Sequence, residues 1–208
     1  MTRIALTQRV IVDPTHGERR DCLDQRWVQV LEELGVVLVP VPNGLASAGA
    51  WAASLQLDGV ILSGGNDLSH LPGLSDKAPE RDLTENQLLD WAKLTSTPVM
   101  GVCRGLQMIN CYLNGSVEPV TKHSGTRHCV ETAAGLRKVN SYHTYSVPEA
   151  ALALNLNPTA WDASGLIEAF THKTLPWIAM MWHPEREPEL HTDDRQLIQT
   201  HFNLRNIL

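Results

Sequence analysis

One cysteine stands where a nucleophile would be exposed at the end of a strand. Residues 101–105, Gly-Val-Cys-Arg-Gly, end the strand-like run 98–102 and lead into a helical pattern that begins at Gly105. Such a strand–turn–helix elbow projects its central residue, and the flanking glycines let the strand and the helix approach closely. The helix N-terminus favours the thiolate, the reactive form of cysteine, and the Arg104 N–H is placed to bind an oxyanion. The pattern therefore predicts that Cys103 is a nucleophile.

A histidine and a glutamate near a second predicted strand could serve that nucleophile. Residues 182–185, Trp-His-Pro-Glu, follow the strand-like run 177–181. Pro184 biases His183 toward an extended conformation, in which residues i and i+2 point to the same side. The Glu185 carboxylate can then lie beside the His183 imidazole and fix its tautomer, while the other ring nitrogen faces a thiol. This is the nucleophile–base–orienter arrangement of a catalytic triad.

A glycine pair after a third strand-like run could supply another oxyanion donor. Residues 63–67, Ser-Gly-Gly-Asn-Asp, directly follow the apolar run 58–62. Glycine permits close approach of the backbone to a ligand, so the Gly65 N–H could face the elbow, although an ordinary strand–helix turn would have the same composition. The segment is not a phosphate loop, because neither G-x-x-x-x-G-K-[ST] nor G-x-G-x-x-G occurs in the sequence.

The spacing of the cysteines does not favour a metal site. Cys22, Cys103, Cys111 and Cys129 include no C-x-x-C pair, and no H-E-x-x-H motif is present. An even number of cysteines in a chain of this length, without a secretion signal, does not imply a disulfide framework. We expect the three cysteines other than Cys103 to be small reduced hydrophobes, and we expect no metal and no cofactor.

Strand and helix patterns alternate through the first 115 residues. The predicted strands are 3–7, 36–41, 58–62 and 98–102, and the predicted helices are 20–34, 82–95 and 105–113. The run 36–41 is continuously apolar, as expected of a strand that is buried on both faces. This alternation predicts a parallel sheet with helices on both of its faces.

The second half of the chain differs in composition. Residues 121–147 are rich in His, Thr and Ser and favour short antiparallel strands, whereas 167–169 and 177–181 are again strand-like. The last 17 residues predict a helix, with apolar positions at Leu197, Ile198, Phe202 and Leu204. No linker divides the chain, so we expect a single α/β domain over residues 1–208. Its mostly parallel central sheet would be flanked by helices and carry a small antiparallel addition.

The composition of the chain argues against several classes of protein. The chain has 208 residues, 43% of them hydrophobic, which suffices for a sizeable core and excludes disorder as the main state. Its 17 Lys and Arg against 23 Asp and Glu give a formal charge of −6, which disfavours nonspecific binding to nucleic acid or anionic membranes. No signal-peptide core or membrane-spanning stretch is evident, so the expected location is the cytoplasm.

These motifs together resemble the class I glutamine amidotransferase family, and within it the free-standing γ-glutamyl hydrolases. The resemblance covers nearly the whole chain and implies a flavodoxin-like fold, with Cys103 as nucleophile and His183 and Glu185 completing the triad. It also implies that Gly65 and Arg104 donate N–H groups to the oxyanion. The residues implied to hold the glutamyl head group are Gln107, Ser141, Tyr142 and His143. The segments 179–181 and 143–144 depart from the family pattern and leave the substrate open.

Three segments are similar to one branch of that family. Residues 6–9, 18–27 and 63–68 resemble the γ-glutamyl-CDP-amidate hydrolases of bacterial capsule phosphoramidate biosynthesis. A diphosphate substrate would require local positive charge in this acidic protein. Arg9 follows the first predicted strand, at the sheet edge where ligands gather, and we expect it to contribute to substrate binding. Further candidates for this role are Arg19, Arg20, Arg26 and Arg81.

Other functions remain open at this stage. The chain could hydrolyse a small γ-glutamyl amine such as γ-glutamyl-GABA, or it could be the glutaminase subunit of an amidotransferase. We do not expect an obligate synthase partner. A non-enzymatic oxidation sensor with an elbow cysteine is a further possibility, but such a protein would not need the His183–Glu185 pair.

Overall fold

The computed structural model describes residues 1–204 and contains thirteen strands and five α-helices within them. The strands are β1 (Thr2–Thr7), β2 (Arg9–Val12), β3 (Arg19–Cys22), β4 (Val36–Val41), β5 (Gly59–Leu62), β6 (Val99–Val102), β7 (Glu118–Pro119), β8 (Ser124–Thr132), β9 (Gly135–Tyr142), β10 (Tyr145–Ser146), β11 (Leu156–Asp162), β12 (Ile167–His172) and β13 (Trp177–Met180). The helices are α1 (Gln25–Glu33), α2 (Ala48–Ser54), α3 (Pro79–Thr95), α4 (Arg104–Tyr112) and α5 (Thr192–His201).

Nine of these strands form one central sheet in the order β4-β1-β5-β6-β13-β12-β11-β8-β9. The first five are mutually parallel, and β12, β11, β8 and β9 continue the sheet as an antiparallel extension. Parallel strands place their carboxyl ends at one edge, where ligands bind in open α/β sheets. The segments after β5, β6 and β13 therefore meet at this edge, which we call the catalytic edge.

Helices cover both faces of the sheet, which confirms the predicted α/β class. Helices α2, α3 and α4 pack on one face through residues such as Leu88 and Ile109. Helix α1 packs on the other face through Trp27 and Leu31, and Ile198 of α5 belongs to the same core. The sheet therefore lies between two apolar layers, and its central strands β5 and β6 are buried along their whole length.

Two predictions about the first half were wrong in detail. The predicted helix 20–34 begins only at Gln25, where Asp24 caps it by accepting a hydrogen bond from the Arg26 N–H. The preceding residues pair instead with β2 in a separate two-stranded hairpin, β2–β3, because strand pairing across a loop leaves no periodic signal in one short segment. The run 36–41 is a strand but lies at the sheet edge, and Val37 is exposed.

The predicted C-terminal helix is present as α5. Ile198 is fully buried, Leu197 is exposed, and Phe202 packs into the core just after the helix. The final part of that prediction, residues 205–208, lies outside the described residues. No helix in the described part of the chain has the length and apolar character needed to cross a bilayer.

Candidate active site

Cys103 lies at a sharp turn between β6 and α4. Its backbone has φ 54° and ψ −105°, an unusual conformation for a residue other than glycine, and the side chain is buried. A methyl group on Gly105 would overlap the carbonyl oxygen of Leu62, and one on Gly101 would lie 2.6 Å from the backbone of Gly105. The two glycines of the motif are thus required for the close packing of α4 against β5 and β6.

His183 and Glu185 form a buried hydrogen-bonded pair. The distance from His183 Nδ1 to Glu185 Oε1 is 2.6 Å. His183 is extended as predicted, whereas Glu185 lies in a 3-10 turn, Pro184–Arg186, rather than in a continued strand. The turn still brings the carboxylate to the ring, because Pro184 starts it directly after His183.

Asn140 of β9 fixes the backbone of His183. Its side-chain oxygen accepts from the His183 N–H at 2.9 Å, and its amide donates to the His183 carbonyl at 2.8 Å. The sequence analysis did not single out this role, since a single asparagine carries no spacing signal. The antiparallel extension therefore helps to position the histidine that lies at the catalytic edge.

The thiol and the imidazole are electrostatically coupled. Burial raises the pKa of the Cys103 thiol, but the adjacent His183 outweighs this effect, and the resulting pKa lies below the ordinary value. Burial lowers the pKa of His183, whereas the Cys103 and Glu185 charges raise it, to about 9 overall. These opposite shifts favour a thiolate–imidazolium pair at neutral pH.

The glycine pair after β5 lies against both of these residues. A methyl group on Gly64 would be 2.5 Å from His183 Cε1 and 3.5 Å from Cys103 Cβ, so only glycine fits there. Gly65 has φ +83°, in the left-handed region that favours glycine. Arg104 is the first residue of α4, where backbone N–H groups have no partner within the helix.

Arg81 binds the backbone of the 63–65 loop. The guanidinium is completely buried and donates to the carbonyl oxygens of Ser63 at 2.6 Å, Gly64 at 3.1 Å and Gly65 at 2.5 Å. It also pairs with Glu85 at 2.8 Å. Burial, with a smaller contribution from nearby Arg104, lowers the pKa of Arg81 to about 10. Arg81 was among the candidate arginines for a phosphate group, but its donors are used inside the protein.

The Arg104 side chain belongs to the same buried network. Its guanidinium forms ion pairs with Glu85 and Asp82 of α3. Only the spacing of Arg81 and Glu85 on one helix face, i and i+4, signals this network in the sequence. Arg104 therefore anchors the elbow through its side chain, and its backbone N–H remains the candidate oxyanion donor.

A cavity of about 160 Å³ opens beside Cys103, and we call it the elbow cavity. Its lining includes Arg9, Gly65, Cys103, Gln107, Tyr142 and His143. Three of the four residues expected to hold a glutamyl group thus line it. Ser141 does not, because it is buried and its hydroxyl donates to the His123 carbonyl. Gln107 donates to the Tyr145 carbonyl at 3.0 Å.

A second cavity of about 250 Å³ lies on the other side of His183, beneath the β2–β3 hairpin. We call it the hairpin cavity, and its lining includes Arg9, Cys22, Trp27, Gly64, His183 and Arg186. Arg9 lines both cavities and makes a 3.3 Å ion pair with Asp76. Arg186, which the sequence analysis missed, lies with its guanidinium 4.6 Å from the centre of the Tyr142 ring.

The remaining arginine candidates are paired with carboxylates. Arg19 pairs with Glu80, and Arg26 pairs with Asp24. Arg20 contacts both Glu18 and Asp13, at 2.5 and 3.4 Å. None of the three lines the hairpin cavity or the elbow cavity, so Arg9 is the arginine among the sequence candidates that faces both spaces.

One cluster of side chains could hold a metal ion. Ligand atoms of His123, His128 and Glu168 lie within 4.8 Å of one another. The cluster adjoins His143, whose ring centre is 4.9 Å from that of His123. Although burial lowers the pKa of His143, its contact with the Glu168 carboxylate dominates and raises the pKa above its ordinary value.

Comparison with known proteins identifies the family of this chain. A model of the peptidase C26 family matches residues 4–135 and 119–185. The chain belongs to the peptidase C26 family. This C26 protein is 33% identical over 203 residues to the γ-glutamyl-CDP-amidate hydrolase of Campylobacter jejuni subsp. jejuni serotype O:2, covering 97% of this chain and 98% of the relative. It is 30% identical over 174 residues to anthranilate synthase component 2 of Azospirillum brasilense, covering 79% and 83%. The resemblance to class I glutamine amidotransferases is confirmed.

Solved structures confirm the fold of this C26 protein. A glutamine amidotransferase from Thermotoga maritima aligns with a TM-score of 0.66 and 16% identity, covering 88% of this chain and 76% of that one. A candidate GMP synthase component from Thermoplasma acidophilum aligns with a TM-score of 0.73 and 22% identity, covering 98% and 93%. At these identities the similarity establishes the class I glutamine amidotransferase fold alone.

The packing at the elbow predicts a large effect of Gly105→Ala on stability. The added methyl overlaps a backbone oxygen that cannot rotate away, so we expect the free energy of unfolding to fall by about 3 kcal/mol. Gly49→Ala is the matched control, because its methyl would lie 3.2 Å from the Trp91 side chain and 3.5 Å from its nearest backbone neighbour, the Gln87 carbonyl oxygen, without overlap. Urea unfolding of both variants measures the difference, and equal stability of Gly105→Ala and wild type would contradict the packing argument.

The shifted pKa values predict the pH dependence of thiol reactivity. Alkylation of Cys103 by iodoacetamide should reach its plateau at a pH below that of an ordinary thiol, because His183 stabilises the thiolate. In His183→Ala the main lowering influence is lost, while burial still raises the pKa and only the weaker effects of His143 and Arg186 lower it, so the apparent pKa of Cys103 should rise. Cys111 is an internal control, since burial raises its pKa to about 11. Site-resolved mass spectrometry across pH measures both thiols, and an unchanged Cys103 profile in His183→Ala would refute the coupling.

Proposed function

We propose that this protein is a cysteine hydrolase that cleaves a γ-glutamyl amide bond and releases glutamate. The observation that carries the proposal is the continuous contact from Cys103 through His183 to Glu185 at the catalytic edge. Family membership and the similarity to a γ-glutamyl-CDP-amidate hydrolase support a role of this class. No step of the proposed reaction needs a metal, a cofactor or ATP.

The first half-reaction is acyl transfer to the thiol. The Cys103 thiolate attacks the γ-carbonyl carbon, and the resulting oxyanion accepts hydrogen bonds from the N–H groups of Gly65 and Arg104. The His183 imidazolium donates its proton to the amide nitrogen, so the C–N bond breaks and the amine leaves. The product on the protein is a γ-glutamyl thioester.

The second half-reaction returns the protein to its starting state. Neutral His183 accepts a proton from water, the hydroxide attacks the thioester carbonyl, and the C–S bond breaks to release glutamate and the thiolate. Glu185 orients the imidazole and stabilises its charged form without taking a proton itself. Gln107, Tyr142 and His143 line the elbow cavity and are proposed to hold the glutamyl head group, with Ser141 supporting them through the buried end of β9.

For the leaving group we propose a nucleoside diphosphate, as in γ-glutamyl-CDP-amidate, which would yield glutamate and cytidine diphosphoramidate. The hairpin cavity lies next to His183, where the proton reaches the leaving nitrogen, and Arg9 and Arg186 line it. Guanidinium groups suit phosphate oxygens, and a chain with a net charge of −6 requires such local cations.

A glutaminase role is the second candidate. The similarity to anthranilate synthase component 2 favours it, and the same thioester chemistry would then release ammonia from glutamine. A γ-glutamyl-GABA-type hydrolase would use the same residues with a neutral leaving group.

Measuring glutamate release from glutamine, γ-glutamyl-GABA and a γ-glutamyl nucleotide amidate separates these three functions. We expect the nucleotide amidate to be the best substrate without any partner protein. An oxidation sensor would release glutamate from none of them.

Substitutions in the triad should differ in severity. Cys103→Ala should abolish glutamate release, because no thioester can form, and His183→Ala should be comparably severe. Glu185→Gln should retain more activity, since glutamine still hydrogen-bonds to the ring but loses the charge that stabilises imidazolium. Steady-state kinetics with the nucleotide amidate measures all three variants.

Cys111→Ala controls for the loss of a thiol remote from the catalytic edge and should remain active. Near-native turnover of Cys103→Ala, or a Glu185→Gln variant as inactive as Cys103→Ala, would contradict the assigned roles.

Above pH 9 the wild-type kcat/KM should decline as His183 loses the proton that it donates to the leaving nitrogen.

Removing Arg9 should affect substrates according to their charge. Arg9→Ala should lower kcat/KM for the nucleotide amidate by about tenfold, which corresponds to about 1.5 kcal/mol for a charge-assisted hydrogen bond. It should barely change kcat/KM for glutamine. Arg20→Ala is the matched control, because that arginine lies on the same hairpin but lines neither cavity. Equal losses on both substrates would mean that Arg9 shapes the Gly65 loop, which it contacts, rather than binding phosphate.

A further inference from the structure

Three histidines and a buried carboxylate converge next to the elbow cavity. His123 directly precedes β8, His128 lies within that strand, His143 directly follows β9, and Glu168 projects from β12. The ring centre of His123 lies 4.9 Å from those of both His128 and His143, and the latter two are 6.2 Å apart. None of these side chains is required for the proposed proton transfers at Cys103.

Two atoms at the centre of this cluster are not satisfied by hydrogen bonds. Glu168 Oε1 and His128 Nε2 are buried and have no hydrogen-bond partner among the residues that the structure describes. Glu168 is 1% exposed, so water does not compensate its charge from outside. Leaving a buried polar atom unpaired is unfavourable, and a charged group is affected more strongly. The arrangement is therefore costly unless a further group occupies the centre.

The ligand atoms of His123, His128 and Glu168 are close enough to share one metal ion. They all lie within 4.8 Å of one another, and Glu168 Oε2 lies 3.4 Å from His128 Nε2. Ligands about 2.0–2.1 Å from a tetrahedral Zn²⁺ are about 3.3–3.4 Å from one another. The neighbouring His143 Nε2 lies 3.5 Å from Glu168 Oε1 and 3.4 Å from His123 Nδ1. Contacts of this length are long for directed hydrogen bonds.

The rings of His143 and His123 are each oriented by a contact of their outer nitrogen. His143 Nδ1 faces the Tyr145 carbonyl at 2.9 Å, which leaves Nε2 directed toward the cluster. His123 Nε2 faces Asp162 Oδ2 at 3.5 Å, which leaves Nδ1 directed inward. Metal-binding histidines commonly donate their second N–H to a carbonyl or a carboxylate in this way. The Asp162 carboxylate is itself fixed by the N–H groups of Ser164 and Leu166, both at 2.8 Å.

Charge balance favours a divalent cation. Glu168 and Asp162 are two buried carboxylates, and neutral imidazoles contribute no charge, so one doubly charged ion would neutralise the cluster. Two imidazole nitrogens with a carboxylate oxygen suit zinc and neighbouring transition metals, rather than magnesium or calcium, which prefer oxygen ligands. The side chains of His123 and His128 are 14% and 20% exposed, which gives an ion a path from solvent.

We propose that His123, His128 and Glu168 form a binding site for a divalent transition-metal ion, with Zn²⁺ as the best fit. The ion would tie β8 to β12 beside His143, which lines the elbow cavity. Its role is to support that wall, since the proposed thiol chemistry proceeds without it. The site departs from the expectation of no metal, because sequence motifs for metal sites concern closely spaced ligands, whereas Glu168 lies on a different strand from the two histidines.

The test is a zinc titration of the full-length protein with the catalytic thiol replaced. Cys103→Ser removes the competing ligand, and prior treatment with a chelator removes any bound ion. Competition with a chromophoric chelator should show one Zn²⁺ bound per chain, and Zn²⁺ should raise the Tm. Adding His128→Ala, His128→Gln or His123→Ala should weaken binding by at least about tenfold. Adding His16→Ala, which changes an exposed hairpin histidine, should leave binding unchanged.

Each outcome decides the proposal. Co²⁺ in place of Zn²⁺ should give the absorption of a tetrahedral nitrogen–oxygen site without a thiolate charge-transfer band. No binding by the Cys103→Ser protein would overturn the site, as would equal affinity in the folded His128→Gln variant. Circular dichroism verifies that the variants fold. Because the readout is binding, a negative result for glutamate release would leave this inference standing.

Discussion

The geometry of the catalytic edge depends on one buried cation. The Arg81 guanidinium binds the carbonyl oxygens of the 63–65 loop and pairs with Glu85, which in turn pairs with Arg104 at the start of α4. Taking a guanidinium out of water costs several kcal/mol unless its donors are satisfied, so this position tolerates little displacement of either the loop or the elbow. Charge satisfaction, more than apolar contact, therefore sets the position of the glycine loop relative to Cys103.

Features that depend on local backbone requirements could be predicted from the sequence. The elbow at Cys103 needs glycines on both sides, and the close approach of α4 to Leu62 explains why those glycines mark it. The parallel core followed from the alternation of apolar runs, because its central strands β5 and β6 are short and buried. His183 and Glu185 were found from their spacing, although a 3-10 turn rather than an extended chain brings them together.

Features that depend on pairing between distant segments could not be predicted. The β2–β3 hairpin was hidden beneath an apparent helical pattern, since nothing within 19–22 specifies its partner at 9–12. Asn140, Arg81 and the histidine cluster carry no motif, and they acquire their contacts only when the antiparallel extension and α3 pack onto the parallel core. Ser141 was implied by resemblance to hold the glutamyl group, but its hydroxyl already donates a hydrogen bond to the His123 carbonyl, a contact that the sequence does not reveal.

The hairpin has a consequence for how such proteins diversify. Strands β2 and β3 pair with each other and form a sheet separate from the central one, while Asn66 holds the hairpin through the N–H and carbonyl of Val10 at 2.8 and 2.9 Å. The residues of the β2–β3 hairpin therefore do not have to keep the register of the central sheet. Under the proposed function, the length and charge of this hairpin can change, and with them the preferred leaving group, without disturbing the core strands that position Cys103 and His183.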